Sequence, residues 1–352
     1  MSLKARLAAE IAAAGPISVA EFMARCLHDP QYGYYATRPA IGASGDFITA
    51  PQVSQMFGEL IGLWLVESWR RIGAPARVIL AEAGPGDGTL MADMLRAARL
   101  CPAFLAAAEI WLVETSAPLR RRQAERLAQA APRWTASLAE LPADAPLLLV
   151  ANEFLDCLPT RQFQRTAGGW AERVVGLDDA GDLAFGLRPA TAATGLPDAP
   201  PGAVIEHSAA QAAVGAELGG RVAAQGGGAL LIDYGRAAPG CGDTLQALAG
   251  HAKVGPLDDP GAADLTVHAD FPAVVAAARA AGAKAGLLTQ AEFLARLGIE
   301  ARAAALAAAR PDRAETIGRQ FDRLTAPDQM GELFKAVAIW RDEPPPAFEA
   351  AS

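Results

Sequence analysis

A glycine-rich segment and two carboxylates near it are the first candidates for chemistry. Residues 82–88, called the glycine turn below, read Glu-Ala-Gly-Pro-Gly-Asp-Gly and follow the apolar run 78–81. A parallel strand that ends in glycines and enters a helix points backbone N–H groups at a ligand, and a Cβ there would block the ligand or the required dihedral angles. We therefore expect the turn to contact a bound ligand through four residues, Gly84, Pro85, Gly86 and Gly88.

The spacing of these glycines and the position of the acids indicate the class of ligand. The turn is GxGxG, whereas the dinucleotide fingerprint is GxGxxG. Glu82 precedes the glycines, where an acid suits a cationic or amino-bearing ligand better than a pyrophosphate. Glu114 ends the next strand-like run, 110–113, where a carboxylate can accept hydrogen bonds from both hydroxyls of a ribose. S-adenosylmethionine has an amino acid head group, a sulfonium and a ribose but no phosphate, and we expect it as the cofactor.

A second acidic segment, residues 151–159, follows the apolar run 147–150 and is called the acid loop below. Ligands of open α/β sheets bind beyond the carboxyl ends of the strands, so we predict that this loop faces the transferred methyl group. Glu153 and Asp156 stand close enough in the chain to converge on one cation, and the planar donors of a guanidinium match carboxylates. We predict that both are catalytic and orient an arginine nitrogen towards the methyl group.

The acid loop also permits a simpler interpretation. Asp156 then caps a turn, and only Asn152 or Glu153 contacts the ligand. We place Asn152 with the cofactor-binding residues. Asp46 is a further candidate for the methionyl amino group or the substrate, within a segment that can close as a lid; the alternative is a turn under the N-terminal helices. Tyr234 either lines the substrate channel or belongs to the core.

The elements that must position these residues alternate between strands and helices, which predicts a parallel α/β sheet. The predicted strands are 78–81, 110–113, 134–136, 147–150, 228–232, 284–288 and 333–340. The predicted helices are 3–14, 19–27, 53–72, 90–100, 118–130, 208–224, 272–281, 290–297 and 312–324. A hairpin around Gly168-Gly169 interrupts the series, and a polar loop is predicted up to about residue 270.

These patterns divide the chain into four segments. We predict an N-terminal helical and lid region at 1–75 and the first part of the sheet domain at 76–160. An insertion after the fourth strand follows at 161–225, and the remainder, with C-terminal additions, covers 226–352.

Composition excludes several classes of protein. The 352 residues include 39 acidic and 31 basic ones, giving a net charge of −8, and without a basic stripe we expect no nucleic-acid partner. The four cysteines are isolated, so neither a metal site nor a disulfide framework is expected and a reducing compartment fits. We find no signal-peptide pattern and no uncharged apolar run of membrane-spanning length, and we predict a cytoplasmic location without a membrane span.

Segments along nearly the whole chain resemble the MidA-like methyltransferases, the family that includes the mitochondrial complex I assembly methyltransferase. The matching segments are Glu-Phe-Met at 21–23, His-Asp-Pro at 28–30, Gly-Tyr-Tyr at 33–35, Gly-Asp-Phe-Ile-Thr-Ala-Pro at 45–51, Ser-Gln-Met-Phe-Gly-Glu at 54–59, the glycine turn, Asn152 to Pro159, Ile-Asp-Tyr-Gly at 232–235, Asp-Thr-Leu-Gln-Ala at 243–247, Asp-Leu-Thr at 264–266, His268, Asp-Phe at 270–271 and Met-Gly-Glu-Leu-Phe-Lys at 330–335. Gln52 stands where the family is expected to have Glu, which puts an acidic role there in doubt.

The resemblance implies a class I methyltransferase fold, in which a Rossmann-like α/β sheet carries the N-terminal helical region and the insertion. It also implies a protein substrate, with arginine dimethylation of a respiratory complex I subunit as the activity of the mitochondrial member. Three alternatives to this activity stay open: a small-molecule methyltransferase, a nicotinamide oxidoreductase, and an assembly chaperone with a retained cofactor site. For the quaternary structure, a homodimer stays open. The glycine spacing and Glu82 disfavour the oxidoreductase.

Overall fold

A computed structural model describes residues 2–37, 49–190 and 196–349. The helices are α1 (Leu3–Ala14), α2 (Val19–His28), α3 (Tyr34–Thr37), α4 (Ala50–Val53), α5 (Gln55–Arg71), α6 (Thr89–Ala98), α7 (Pro102–Ala107), α8 (Ala117–Arg126), α9 (Ala209–Gln225), α10 (Phe271–Ala280), α11 (Gln290–Arg296), α12 (Ile299–Ala309) and α13 (Ala314–Thr325). The strands are β1 (Ile17–Ser18), β2 (Val78–Ala83), β3 (Ala108–Val113), β4 (Arg133–Thr135), β5 (Leu147–Asn152), β6 (Arg161–Thr166), β7 (Gly169–Leu177), β8 (Leu183–Pro189), β9 (Val204–His207), β10 (Gly227–Arg236), β11 (Gln246–Ala249), β12 (Ala252–Val254), β13 (Asp264–Thr266), β14 (Ala269–Asp270), β15 (Lys284–Thr289) and β16 (Phe334–Trp340).

The central sheet has the order β4-β3-β2-β5-β10-β16-β15, with the short β14 beside β10. Neighbours from β4 to β10 are parallel, and β16 runs antiparallel to both β10 and β15. Strands β2 and β5 are buried along their whole length, as expected for apolar runs covered on both faces by helices.

The strand order reverses at β2, because the chain moves outward to β3 and β4 and then returns to place β5 on the other side. Ala83, near the end of β2, is in register with Val113 of β3 and with Ala151 of β5. The segments that follow these three strands therefore meet at one edge, which is the position where open α/β sheets bind ligands.

Helices cover both faces of this sheet. One core cluster joins α5 and α6 to one face, with Phe57, Trp64 and Met91 among its buried members. On the other face α9 approaches α10 closely, because a Cβ added to Gly215 would lie 2.4 Å from the Val274 carbonyl oxygen and one added to Gly219 would lie 2.5 Å from that of Ala278. Glycine at these two positions therefore sets the separation of α9 and α10.

A second sheet, of order β1-β7-β6-β9 with β8 beside β7, lies outside the central one. The three-stranded sheet β12-β11-β13 stands near it. The helices α1 and α2 pack against these strands through a shared core that includes Leu7, Phe22, Val175 and Leu265. The second sheet thus anchors the N-terminal helices.

Most predicted elements are confirmed, including the capping box of Ser18 and Glu21 and the hairpin of β6 and β7. The polar loop predicted up to residue 270 is wrong, because β11, β12 and β13 lie in it. Helix α9 packs on α10 beside the central sheet, so we propose that the inserted unit ends near His207 instead of residue 225. In the described ranges, no helix has the length and apolar character that crossing a membrane requires.

Candidate active site

The glycine turn connects β2 to α6 with a backbone that only glycine adopts readily. Gly84, Gly86 and Gly88 have φ angles of +64°, +53° and +83°. Gly88 is the N-cap of α6, and Asp87 accepts hydrogen bonds from the backbone N–H of Thr89 at 3.0 Å and from its hydroxyl at 2.7 Å. The three glycines therefore have the conformational role that their spacing predicts.

Three buried acceptor atoms line a small cleft of about 60 Å³ beside this turn. They are Glu82 Oε2, Gln52 Oε1 and Asn152 Oδ1, and each has no hydrogen-bond partner among the described residues. Burial, with a smaller contribution from Asp87, raises the pKa of Glu82 to about 8. An ammonium group carries three N–H donors. The residues present therefore fit the amino group of S-adenosylmethionine.

Glu114 lies after β3, where it also lines a large cavity of about 660 Å³. Its carboxylate accepts hydrogen bonds from Ser116 N at 2.7 Å and from Gln123 Nε2 at 3.3 Å. Burial raises its pKa above the ordinary value. A buried carboxylate in this position, with hydrogen bonds that fix its orientation, suits the ribose hydroxyls of the cofactor.

Gln123, a buried residue of α8 that sequence reasoning missed, links the two parts of this cofactor site. Its Nε2 donates to the Gly86 carbonyl at 2.7 Å as well as to Glu114, and its Oε1 accepts from Trp134 Nε1 at 2.8 Å. The sequence offered only a polar residue on a helix, and nothing in the spacing marked it as buried.

The large cavity is lined by predicted cofactor residues and by three other parts of the chain. Gly84, Gly86 and Glu153 line both the cavity and the small cleft. Further walls come from the segment 136–139, from α9 and from the N-terminal helices. Glu153 therefore stands where the two spaces join.

Glu153 has a backbone conformation that is unusual for a residue with a side chain, with φ of +51°. Its N–H donates to the Ile232 carbonyl at 2.8 Å. Its Oε1 accepts from Ala50 N at 3.2 Å and from Asn152 Nδ2 at 2.9 Å, and Oε2 has no hydrogen bond within the described ranges. Burial and the nearby Asp156 raise its pKa to about 7. Among the described residues, Glu153 thus keeps one carboxylate oxygen without a hydrogen bond, and it can exchange a proton near neutral pH.

Asp156 occupies a different environment from Glu153. Its carboxylate accepts a hydrogen bond from the Tyr234 hydroxyl at 2.5 Å, and it lines neither the cleft nor the cavity. Burial raises its pKa to about 6. The structure therefore does not bring Asp156 and Glu153 together on one cavity wall, and this geometry favours the simpler interpretation of the acid loop.

Tyr234 is buried, with its ring against Phe334 and His268 at centroid distances of 5.4 and 5.7 Å. It does not line the cavity, so it belongs to the core and not to a channel wall. Its neighbour Asp233 is fully buried and accepts hydrogen bonds from the N–H groups of Leu155 at 2.9 Å and Asp156 at 3.2 Å. The end of β10 therefore holds the acid loop in place.

The site has a surplus of buried or half-buried acidic groups. Glu82, Glu153, Asp156 and Asp233 form no ion pair with a basic side chain in the part of the chain that the structure describes. Burying carboxylates without cations is costly, so such groups take up protons or await a cationic ligand. Asp46, the remaining predicted cofactor residue, lies outside the described residues.

The fold and this site together define a class I S-adenosylmethionine-dependent methyltransferase. A family model described as "Putative S-adenosyl-L-methionine-dependent methyltransferase" matches residues 60–289. A Burkholderia thailandensis protein crystallised with S-adenosyl-homocysteine superposes with a TM-score of 0.87 at 32% identity, over 98% of this chain and 94% of that one. The predicted fold class and cofactor are confirmed.

Curated relatives extend the comparison over nearly the whole chain. The Drosophila melanogaster "Protein arginine methyltransferase NDUFAF7 homolog, mitochondrial" is 36% identical over 96% of this chain and 85% of its own length. The human "Protein arginine methyltransferase NDUFAF7, mitochondrial" is 33% identical over 94% and 81%. The chain belongs to this family of S-adenosylmethionine-dependent methyltransferases.

The prediction of a cytoplasmic location is wrong, because the curated relatives carry the word mitochondrial in their names. That prediction relied on cysteine usage and on the absence of a signal-peptide pattern and of a membrane-spanning run. The four cysteines are free thiols. Free thiols indicate a reducing environment, but they do not distinguish one reducing compartment from another.

Proposed function

We propose that the chain transfers methyl groups from S-adenosylmethionine to the guanidinium of an arginine in a protein substrate. The observation that carries the proposal is the half-buried Glu153, one carboxylate oxygen of which has no hydrogen-bond partner among the described residues, where the small cleft and the large cavity join. The relatives that are 32 to 36% identical and named protein arginine methyltransferases support the same activity.

Each group of the site has a defined task in this reaction. S-adenosylmethionine, when bound, supplies an electrophilic methyl group on a sulfonium. The acceptors of Glu82, Gln52 and Asn152 would hold its ammonium, and Glu114 would hold its ribose. Together these contacts fix the methyl group near Glu153.

Glu153 would act on the acceptor. Its free oxygen would accept a hydrogen bond from the guanidinium and orient one nitrogen towards the methyl group. That nitrogen forms a bond to the methyl carbon, while the methyl–sulfur bond breaks and its electron pair stays on sulfur. The methylated nitrogen then loses one proton. Because the pKa of Glu153 is raised to about 7, its carboxylate can take up this proton near neutral pH.

The family resemblance alone suggests a respiratory complex I subunit as the substrate. No observation on the site selects that protein, and none favours a small-molecule acceptor. Glu153, which lines the cavity and has no ion pair with a basic side chain among the described residues, favours a cationic acceptor, and this supports arginine. The homodimer also stays a proposal.

The experiment is to incubate the protein with S-adenosylmethionine carrying a labelled methyl group and a mitochondrial extract, and to locate the label by mass spectrometry. We expect label on arginine of a protein, and a matched incubation with the Glu153→Gln variant controls for other methyltransferases in the extract. Label confined to small molecules, or the same protein labelling with the variant, would contradict the proposal.

A further inference from the structure

Two aromatic side chains from the N-terminal helices stand on the wall of the large cavity. His28 is the last residue of α2, Tyr35 lies in α3, and both line the cavity. Their ring centroids are 5.7 Å apart with an angle of 28° between the planes, so the rings are stacked. Neither residue belongs to the cleft or to the ribose-binding segment, and this part of the wall is free for the acceptor.

This aromatic pair lies beside the acid loop. His28 interacts with the backbone of Cys157, Tyr35 lies next to the Cys157 side chain, and Cys157 lines the same cavity. The Cys157 thiol in turn lies 3.4 Å from the Phe154 carbonyl. The rings thus share the cavity wall with the loop that carries Glu153.

The charge state of the pair suits a cation. The Tyr35 hydroxyl donates to Asp264 Oδ1 at 3.0 Å, which fixes the ring and places a carboxylate behind it. Burial raises the pKa of Tyr35 well above its ordinary value, and partial desolvation of the imidazole lowers that of His28 although the residue keeps exposed surface, so both rings are uncharged near neutral pH. An uncharged aromatic face beside buried carboxylates attracts cations, and a planar guanidinium can stack on it.

We propose that His28 and Tyr35 form the platform on which the guanidinium of the substrate arginine stacks while Glu153 binds its edge. The inference rests on the proposed function and names two specificity-determining residues for it. A lysine ammonium is not planar and carries its charge at one point, so it gains less from this platform. The platform therefore favours arginine over lysine.

The test measures binding of acetyl-arginine amide and acetyl-lysine amide to the full chain saturated with S-adenosylhomocysteine, by NMR titration. We expect the arginine probe to bind more tightly to the wild-type protein. In Tyr35→Leu and His28→Leu the Kd of the arginine probe should rise by about three- to tenfold, while that of the lysine probe changes little. The Kd of S-adenosylhomocysteine should stay constant in both variants.

Two matched controls keep the test sharp. Tyr32→Phe and His207→Leu alter the same residue types outside the cavity and should leave both probes unaffected. If Tyr35→Leu fails to fold, as judged by thermal unfolding, His28→Leu carries the test because that side chain is exposed. Equal wild-type affinity for the two probes, or an unchanged preference in His28→Leu, would overturn the platform.

The outcome is separable from that of the proposed function. Absence of arginine methylation in the extract experiment contradicts the proposed activity even if the probes bind as expected. Methylated arginine in the extract, together with unchanged binding of the arginine probe in the two variants, contradicts only the aromatic platform.

Discussion

The glycine turn and the acid loop both place a carboxylate at the same sheet edge, but different forces hold them. In the turn, positive φ angles fall on Gly84, Gly86 and Gly88, and the Gly88 N–H bonds to the Pro85 carbonyl within the turn at 2.8 Å. In the acid loop, the positive φ falls on Glu153, and the bonds that hold it come from β10, far along the chain. The turn is specified locally, whereas the loop is specified by tertiary structure.

The largest effect that we expect is on the acid loop itself. Glu153→Gln keeps an oxygen for Ala50 and Asn152 but removes the charge that orients the guanidinium and takes up its proton. We expect the rate of methyl transfer to fall by at least about a hundredfold. The Kd of S-adenosylhomocysteine, measured by calorimetry, should change less than about threefold, because Glu153 is not the residue that we assign to its ammonium or ribose.

Glu217→Gln provides the matched control, since Glu217 lines the same cavity but pairs with Arg221 at 2.7 Å. It should keep nearly full activity. A Glu153→Gln enzyme that still methylates at the wild-type rate would remove the central element of the proposed mechanism.

Gly84→Ala tests the local character of the turn. An alanine at φ +64° is strained by about 1–2 kcal/mol, and its Cβ would lie 3.0 Å from the Phe154 ring. Because both the strain and the methyl group act where the cofactor approaches, we expect the Kd of S-adenosylhomocysteine to rise by roughly thirtyfold.

Gly181→Ala is its control, with φ of +82° and no neighbour within 4 Å of the added Cβ. Thermal unfolding should show a loss of stability in both variants, larger in Gly84→Ala because of the Phe154 contact, and calorimetry should show weaker binding only for Gly84→Ala. Equal affinities in the two variants would mean that the turn does not contact the cofactor.

Asp233→Asn tests whether β10 holds the acid loop. The amide can accept from only part of the Leu155, Asp156 and Tyr234 N–H groups that the carboxylate satisfies. We expect a loss of about 1–3 kcal/mol of stability and roughly a tenfold lower kcat, with the Kd of S-adenosylhomocysteine preserved.

The control for this variant is Asp93→Asn, which alters a buried aspartate paired with Arg96 on α6. It should lower stability without lowering kcat. If the two variants lose stability and kcat in the same proportion, Asp233 has only a general structural role.

The smallest effect concerns pH. The pKa of Glu82 is about 8 in the folded protein against 4.5 as its ordinary value, and that of Glu153 is about 7. The folded state holds these protons more tightly than the unfolded chain, so their contribution to stability is complete below about pH 4.5 and is lost as pH rises towards 8. Urea unfolding of the ligand-free protein should show this decline, and Glu82→Gln should flatten its upper part.

Cofactor binding should lower the pKa of Glu82 and so favour its charged form. An ammonium beside the carboxylate favours its charged form, so binding of S-adenosylhomocysteine at pH 7 should release protons. Calorimetry in buffers of different ionisation enthalpy measures that release, which Glu82→Gln should reduce. Proton uptake instead of release would contradict the assignment of Glu82 to the ammonium.

The same contrast explains what the sequence could predict. The turn, its flanking strands and Glu114 follow from local patterns, namely apolar runs that enter glycines. Asp156 and Glu153 were predicted to converge because they are close in the chain, yet the Tyr234 hydroxyl turns the Asp156 carboxylate towards the core. That hydrogen bond depends on the pairing of β5 with β10, which no local pattern encodes.

Gln123 and the strands β11 to β13 were missed for the same reason. Gln123 is buried only because α8 lies against the glycine turn and Trp134. The three strands are short and form their hydrogen bonds mainly with one another. Each is too short to show the alternation of apolar and polar residues that predicts a strand. Polar groups that are buried by tertiary contacts leave little trace in sequence.

Finally, the close approach of α9 to α10 at Gly215 and Gly219 makes the size of the cavity depend on residues that do not line it. Ala213, Val214 and Glu217 on the same helix form part of the cavity wall, while the two glycines touch the Val274 and Ala278 carbonyls. Any side chain at either glycine has to displace α9 or α10, because the obstacle is backbone. A single substitution at either glycine can therefore change the size of the cavity while every residue that lines it stays the same.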